Sequence, residues 1–474
     1  MNLRQYDWPA VLLIAGTAVP LGISARPVDN GERPNIIVIL ADDIGYEGFG
    51  AYGGPYYTPN IDSLARRGVR FDYAYSQPLS TPTRVQLMTG RYNHKNYVEF
   101  GFLDQQAKTF GHLARMAGYT TCIAGKWQLG ANSKLPDHFG FDRYCLWQLS
   151  YAKTNSAERY GNPLIEQDGV ELDRDPRTYG PDIQAAYVDR FIEEHADTPF
   201  FIYYPMVLVH SPFVVTPDSH DWDGNMRTLY RNDPRYFPDM VAYCDKLIGQ
   251  LVGKLREEGL YDNTLILFMG DNGTNRQITT TMCDGSVVRG GKGMTTDAGT
   301  HAALIAACCN CYHGICNDLV DFTDILPTIA EAMGAKIPKK WDIDGVSFYP
   351  QILGRKGHPR QWVFCHYDPF MQGYLKPQSN ARRFIRNHRY KLYSTGELYD
   401  VRTDVLEQHN ILSGSGSQEA EKARRFLSRE LAKFPTWKPG DLGNEKVILP
   451  GLELRPIRLS KTKREETMVQ TPKQ

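Results

Sequence analysis

The sequence predicts an α/β protein, with a central, mostly parallel sheet flanked by helices and a smaller C-terminal α+β subdomain carrying an antiparallel sheet. Two observations carry that expectation. First, continuous apolar runs alternate with helical stripes, and each run adjoins a polar cluster. Residues 35–40 lead to Asp42-Asp43, 119–124 to Gly125-Lys126-Trp127-Gln128, 199–204 to His210-Ser211-Pro212, and 264–269 to Asp271-Asn272-Gly273. Unbroken apolar runs of this length suit strands buried on both faces, and strand–helix alternation argues for an open α/β sheet. Second, the polar clusters fall at the carboxyl ends of the runs, where open α/β sheets build their sites.

Along the chain, residues 1–25 begin with Arg4 and pass through an apolar stretch to small residues, as a secretory signal peptide does. A membrane anchor is the competing reading, weakened by Pro20 and by the short run. The mature protein is expected to be exported, periplasmic or extracellular, with no membrane anchor. Ser80 or Thr81 can cap a helix carrying Val85, Leu87 and Met88, with Pro82 in its first turn. Helical stripes follow at Ile183, Tyr187 and Phe191 and at Met240, Cys244, Leu247, Leu251 and Leu255. A further helix is predicted over 320–333, stopped by Gly334. The basic stretch 336–340 reads as a linker, giving a catalytic domain over 26–335 and a subdomain over 336–454. Strands are expected there near 361–366, 389–393 and 397–401, and the polar segment 455–474 reads as a flexible tail.

Lys+Arg and Asp+Glu both number 54, so no global field marks a nucleic-acid binder. A polyanionic substrate must be met by a local cluster of bases. Of the nine cysteines, Cys308, Cys309, Cys311 and Cys316 crowd together without a usual zinc spacing. Cys308 and Cys309 continue an apolar run and read as buried strand thiols, with a disulfide to Cys316 as the alternative.

Ser80-Thr-Pro-Thr-Arg84 places a small nucleophile at a helix N-terminus, where free N–H groups favour an anion, with Arg84 one turn on. A capped helix with a structural arginine is the plain alternative. Asp42, Asp43, Asp271 and Asn272 offer three carboxylates and an amide oxygen from two strand ends, a donor set for a hard cation such as calcium. Lys126 and Lys292 sit in glycine-flanked loops that let backbone and ammonium approach an anion.

These segments resemble the formylglycine-dependent sulfatases of the alkaline phosphatase superfamily, particularly bacterial carbohydrate sulfatases. The resemblance rests on Ser80, Pro82, Arg84, Leu87, Thr89, Gly90 and Arg91, on Gly125-Lys126-Trp127-Gln128-Leu129-Gly130 and on Arg289-Gly-Gly-Lys292-Gly. It extends to 58–62, 140–142, 262–264, 324–328 and 397–400. It implies a calcium-dependent sulfuric ester hydrolase in which a maturase converts residue 80 to formylglycine, whose hydrate attacks sulfur. Asp42, Asp43, Asp271 and Asn272 would hold calcium, Arg84, Lys126 and Lys292 the sulfuryl oxygens, and His210 would protonate the leaving alcohol. Ser80 is compatible with a natural serine-type site or with a replaced cysteine. Gln128 stands where the family usually has histidine, and glutamine cannot take a proton at neutral pH.

The expected substrate is a sulfated oligo- or polysaccharide, such as a sulfated galactan or carrageenan fragment, attacked from a chain end. Thr300, His301, His366 and Arg382 are expected to contact the sugar, with Trp147 and Tyr367 as stacking platforms. Two rivals remain, a phosphonate or phosphodiester hydrolase on the same fold and a non-catalytic sulfated-glycan binder.

Overall fold

In the computed structural model, which describes residues 33–147, 149, 159–225, 232–369, 381–439 and 444–455, the predicted sheet is present and wide. Its strands are β1 (Asn35–Ala41), β2 (Val69–Tyr75), β3 (Thr120–Lys126), β4 (Arg143–Trp147), β5 (Ile165–Gln167), β6 (Val170–Glu171), β7 (Phe200–Pro205) and β8 (Thr264–Gly270), joined after a small hairpin, β9 (Thr279–Thr281) and β10 (Val287–Arg289), by β11 (His301–Ala307) and β12 (Gly314–Asp321). The order is β12-β2-β11-β8-β1-β7-β3-β4-β5-β6. β8, β1, β7, β3 and β4 run parallel, while β11 and β5 run against their neighbours.

Every residue of β1 and β8 is buried, which is why their sequences show no alternation. Successive β1 side chains feed opposite faces. Ile37 and Ile39 join a core with the helices Gly180–Glu194 and Phe237–Glu257, whereas Ile36, Val38 and Leu40 join one with Val85, Leu87 and Ile325. The predicted stripe from Met240 to Leu255 is the buried face of the Phe237–Glu257 helix.

The second sheet, β13 (Val363–Tyr367), β14 (Arg382–Arg386), β15 (Tyr390–Tyr393) and β16 (Leu398–Asp400), is antiparallel throughout. The helix Gln418–Leu431 covers it, packing Ala420, Ala423 and Leu427 on Ile385, Leu392 and Leu398. The described residues belong to one compact unit. Arg360 bridges to Leu319 of β12, tying the start of the second sheet to the first.

Two local expectations are corrected. Residues 320–333 are not one helix: β12 runs to Asp321, and the α-helix spans only Ile325–Ala332. The Asp321 carboxylate accepts from the Thr323 N–H and Asp324 caps back, so the acidic pair ends the strand before the helix begins. β11 stops at Ala307, leaving Cys308 half-buried and Cys309 exposed in the following loop rather than inside a strand. All nine cysteines are free thiols. Residues 1–25, expected to be a signal peptide, and, apart from Arg455, the tail 455–474 lie outside the described residues. No helix among the described residues is long and apolar enough to cross a membrane.

Candidate active site

The strand register builds the site. Ala41 pairs with Gly270 at the ends of β1 and β8, so Asp42 and Asp271 leave the sheet side by side. The Asp271 N–H donates to the Ala41 carbonyl, and the Asp43 N–H donates to the Asp271 carboxylate at 2.9 Å. Next to β1 lies β7, whose continuation carries His210, and next to that β3, whose last residue is Lys126. Four strand ends thus place acid, acid, imidazole and ammonium in a row. Asp43 adopts a left-handed backbone (φ 59°), a conformation costly for a non-glycine residue and found where a site over-determines it.

Ser80 is the first residue of the helix Ser80–Thr89, which corrects its expected role as cap. Leu79 occupies the cap position without a side-chain hydrogen bond, so the Ser80 hydroxyl is free to face the sheet. It donates toward Asp42 at 3.0 Å and lies 3.2 Å from the Asn272 amide oxygen and 3.3 Å from Lys126 Nζ. The Asn272 amide is oriented by its nitrogen, which donates to Asp43 (3.0 Å) and to the Gly273 carbonyl (2.9 Å), leaving its oxygen toward Ser80.

Cations close the cluster. Lys126 Nζ donates to both Asp42 oxygens at 2.9 and 2.8 Å. Arg84 reaches Asp271 at 3.4 Å and Asp42 at 3.9 Å, and its Nε is buried with no acceptor among the described residues. Lys292 contacts Asp43 and lies 3.0 Å from His210 Nε2, itself 3.3 Å from Asp43. His210 Nδ1 faces the Ser211 carbonyl, a contact that places the ring proton on Nδ1 and leaves Nε2 an acceptor.

Asp42, Asp43, Asp271 and Asn272 are fully buried. Burial opposes charge on Asp42, but Lys126, His210, Arg84 and Arg159 outweigh it and hold that carboxyl well below the usual range. Asp271 goes the other way, pushed up to about 7 by burial and by the neighbouring Asp42. Burial also brings the Lys126 ammonium down to about 8. His210 is held well below its usual range by burial and then by Arg159. A buried carboxyl driven up by its neighbours is what a divalent cation would relieve. The all-oxygen donor set fits a hard cation, and Asp42, Asp43 and His210 offer atoms within 4.8 Å of one another.

Arg159 is the residue that the sequence did not reveal. It is 2% exposed, places NH1 3.4 Å from Asp42 and lies over the Trp147 ring at 4.3 Å. Trp147 is fully buried at the end of β4 with Arg159 over it, so its expected role as a sugar platform is corrected, and Tyr367 is likewise buried, among Cys365, Phe384 and Tyr393. Gln128 follows Lys126 by two residues in a left-handed conformation (φ 49°), half-buried, with no side-chain hydrogen bond among the described residues.

The residues expected to grip sugar are not gathered here. Both nitrogens of His301 are engaged, by Asp297 (3.0 Å) and by the Asp72 carbonyl (2.8 Å), and its ring packs among Tyr46, Tyr73 and Tyr75. Thr300 is buried and donates to the Thr296 carbonyl. His366 is buried and neighbours His94, Arg383 and Trp437 rather than Ser80. Arg382 is exposed, over the Tyr393 ring and 3.6 Å from Glu397.

A nucleophile position between an acidic oxygen cluster and four cations defines a hydrolase of anionic esters. Residues 34–335 match the family model for sulfatases, and the chain belongs to the sulfatase family; it is a sulfuric ester hydrolase. Arylsulfatase A of Bos taurus is 30% identical over 457 residues, covering 84% of this chain and 87% of that protein. The crystal structure of Ps i-CgsB in complex with k-i-k-neocarrahexaose superposes with a TM-score of 0.67 at 25% identity, covering 85% of this chain and 92% of the other. The phosphonate monoester hydrolase of Agrobacterium radiobacter shares the fold, with a TM-score of 0.63 at 19% identity over 85% of this chain and 95% of that one.

Proposed function

We propose that this sulfatase removes sulfate from a sulfated carbohydrate, using calcium and a formylglycine made from residue 80. The observation that carries the reading is the position of the Ser80 hydroxyl, 3.0 Å from Asp42, 3.2 Å from the Asn272 oxygen and 3.3 Å from Lys126. Calcium at Asp42, Asp43, Asp271 and Asn272 would supply Lewis-acid charge beside residue 80, and formylglycine there would supply a hydrated aldehyde as nucleophile.

The chain's own groups do the rest. Arg84 and Lys126, both buried, neutralise the sulfuryl oxygens in a dry site, where fixed charges act strongly. The Lys292–His210 pair faces the opposite side of Asp43 from Asn272's amide nitrogen contact and delivers the proton to the departing alkoxide: His210 Nε2 accepts from Lys292, so the proton comes from that shared position. Gln128 can donate or accept a hydrogen bond but cannot carry the proton released in the second half-reaction.

A carbohydrate substrate is supported by Ps i-CgsB, whose crystal structure is in complex with k-i-k-neocarrahexaose. The amino-terminal segment supports export, where such polymers are met. We favour terminal over internal attack, because the second sheet stands beside the lysine loop: Thr295 hydrogen-bonds Tyr393 at 3.0 Å. The shared fold keeps phosphonate monoesters as the comparison substrate.

The test is production of the Ser80 and Ser80→Cys proteins with a cysteine-type maturase, followed by sulfate release from sulfated galactan oligosaccharides and from intact polymer. The Ser80→Cys protein should gain a formyl group at residue 80 and release sulfate from chain ends. Full activity of the Ser80 form with an unoxidised serine would overturn the mechanism, and activity confined to phosphonate esters would overturn the substrate.

A further inference from the structure

We propose that the surface cavity bounded by β14, β15, the helix Gln418–Leu431 and residues 434–437 is a second binding site, for an oxyanion carried on a sugar-sized body. The cavity measures about 520 Å³ and is lined by Arg383, Arg424, Ser394, Ser413, Ser428 and Trp437 among others, with no acidic residue in its lining. That volume lies within the range of small-molecule sites.

Arg383 carries the inference. It is only 5% exposed, yet no carboxylate lies within ion-pair distance of it among the described residues. Its Nε donates to His366 Nδ1 at 3.1 Å and its NH1 to the Pro435 carbonyl at 2.6 Å, both neutral acceptors. The groups behind it do not supply a negative charge. His366 is held well below its usual range by burial and by Arg383 itself, and His94 is brought down to about 4, burial first. Burying a guanidinium without an anion is expensive, and burial alone brings this one down to about 10. An anion in the cavity would compensate it.

Two further features fit the rest of such a ligand. The Trp437 ring lies 5.1 Å from the Arg383 guanidinium, and its Nε1–H is buried without an acceptor among the described residues. The exposed serines along the cavity match the hydroxyl groups of a sugar. Arg424 is the weaker charge, since Glu421 lies 3.4 Å away and its NH1 donates to the Gly396 carbonyl. None of these residues belongs to the reaction centre.

Calorimetric titration with galactose 6-sulfate, galactose and sodium sulfate tests the site, with Trp fluorescence as a second signal. The protein should bind the sulfated sugar at two sites, one lost in Lys126→Ala and the other in Arg383→Met. Ser428→Phe, on the exposed side of the covering helix, should weaken the second site at least tenfold with an unchanged circular dichroism spectrum and Tm. A second isotherm unaltered by both Arg383→Met and Ser428→Phe would overturn the proposal. Equal affinity for galactose would remove the oxyanion from it, and equal affinity for sodium sulfate would remove the sugar.

Discussion

The Arg159 guanidinium lies over the Trp147 ring, 4.3 Å from its centroid, and from there reaches Asp42 at 3.4 Å. Trp147 ends β4, two strands beyond β7 in the sheet, so stacking on a rigid strand end holds the cation against the carboxylate beside Ser80. Cation–π contacts of buried groups are worth about 2 kcal/mol, enough to fix one arginine rotamer.

Arg159 is therefore expected to act on the sulfuryl group together with Arg84 and Lys126. In the Ser80→Cys background with an oxidised residue 80, Arg159→Met should lower kcat/KM by about 10²–10³-fold, the scale of losing one charge-stabilising donor. Arg159→Lys should recover part of that loss. Steady-state kinetics on a small aryl sulfate measures both, and an unchanged kcat/KM in Arg159→Met would rule the role out.

Calcium should stabilise the folded protein. At a hundredfold excess over Kd, binding to the native state alone contributes about 2.7 kcal/mol, seen as a rise in Tm. Asn272→Ala removes one of the proposed oxygen ligands and also the donor that orients Asp43, so the same rise should need at least about tenfold more calcium. Identical melting of chelator-treated and calcium-loaded protein would exclude the metal.

A purely structural prediction concerns Arg360, whose Nε donates to the Asp324 carboxylate at 2.8 and 2.7 Å. Both side chains are buried, and Asp324 also accepts from the N–H groups of Val346 and Asp321. Arg360→Met leaves that carboxylate without its cation and should cost about 3–5 kcal/mol. Urea denaturation measures it, and a loss below about 1 kcal/mol, the scale of an exposed pair, would contradict the assignment.

The sequence by itself determined the central strands β1, β3, β7, β8 and β11, three of the four strands of the second sheet, and the polar residues that follow β1, β3, β7 and β8. Those features are local: an unbroken apolar run is buried on both faces wherever it sits, and the residue after it leaves at the strand end. Asp42, Asp43, Asp271, Asn272, Lys126 and His210 were legible for that reason, and Ser80, Arg84 and Lys292 through their motifs. Tertiary structure decided which of them meet. The Ala41–Gly270 register sets Asp42 beside Asp271 across 228 residues or more of chain, and the strand order lines up His210 and Lys126 next to them. It also decided what no local pattern encodes. Arg159 joins Asp42 across 117 residues with no motif around it. His301 and His366, polar in sequence, are taken up by Asp297 and Arg383, and Trp147 is covered by a cation. A side chain's partners depend on which faces the sheet packs together, and that information resides in long-range register rather than in neighbouring residues.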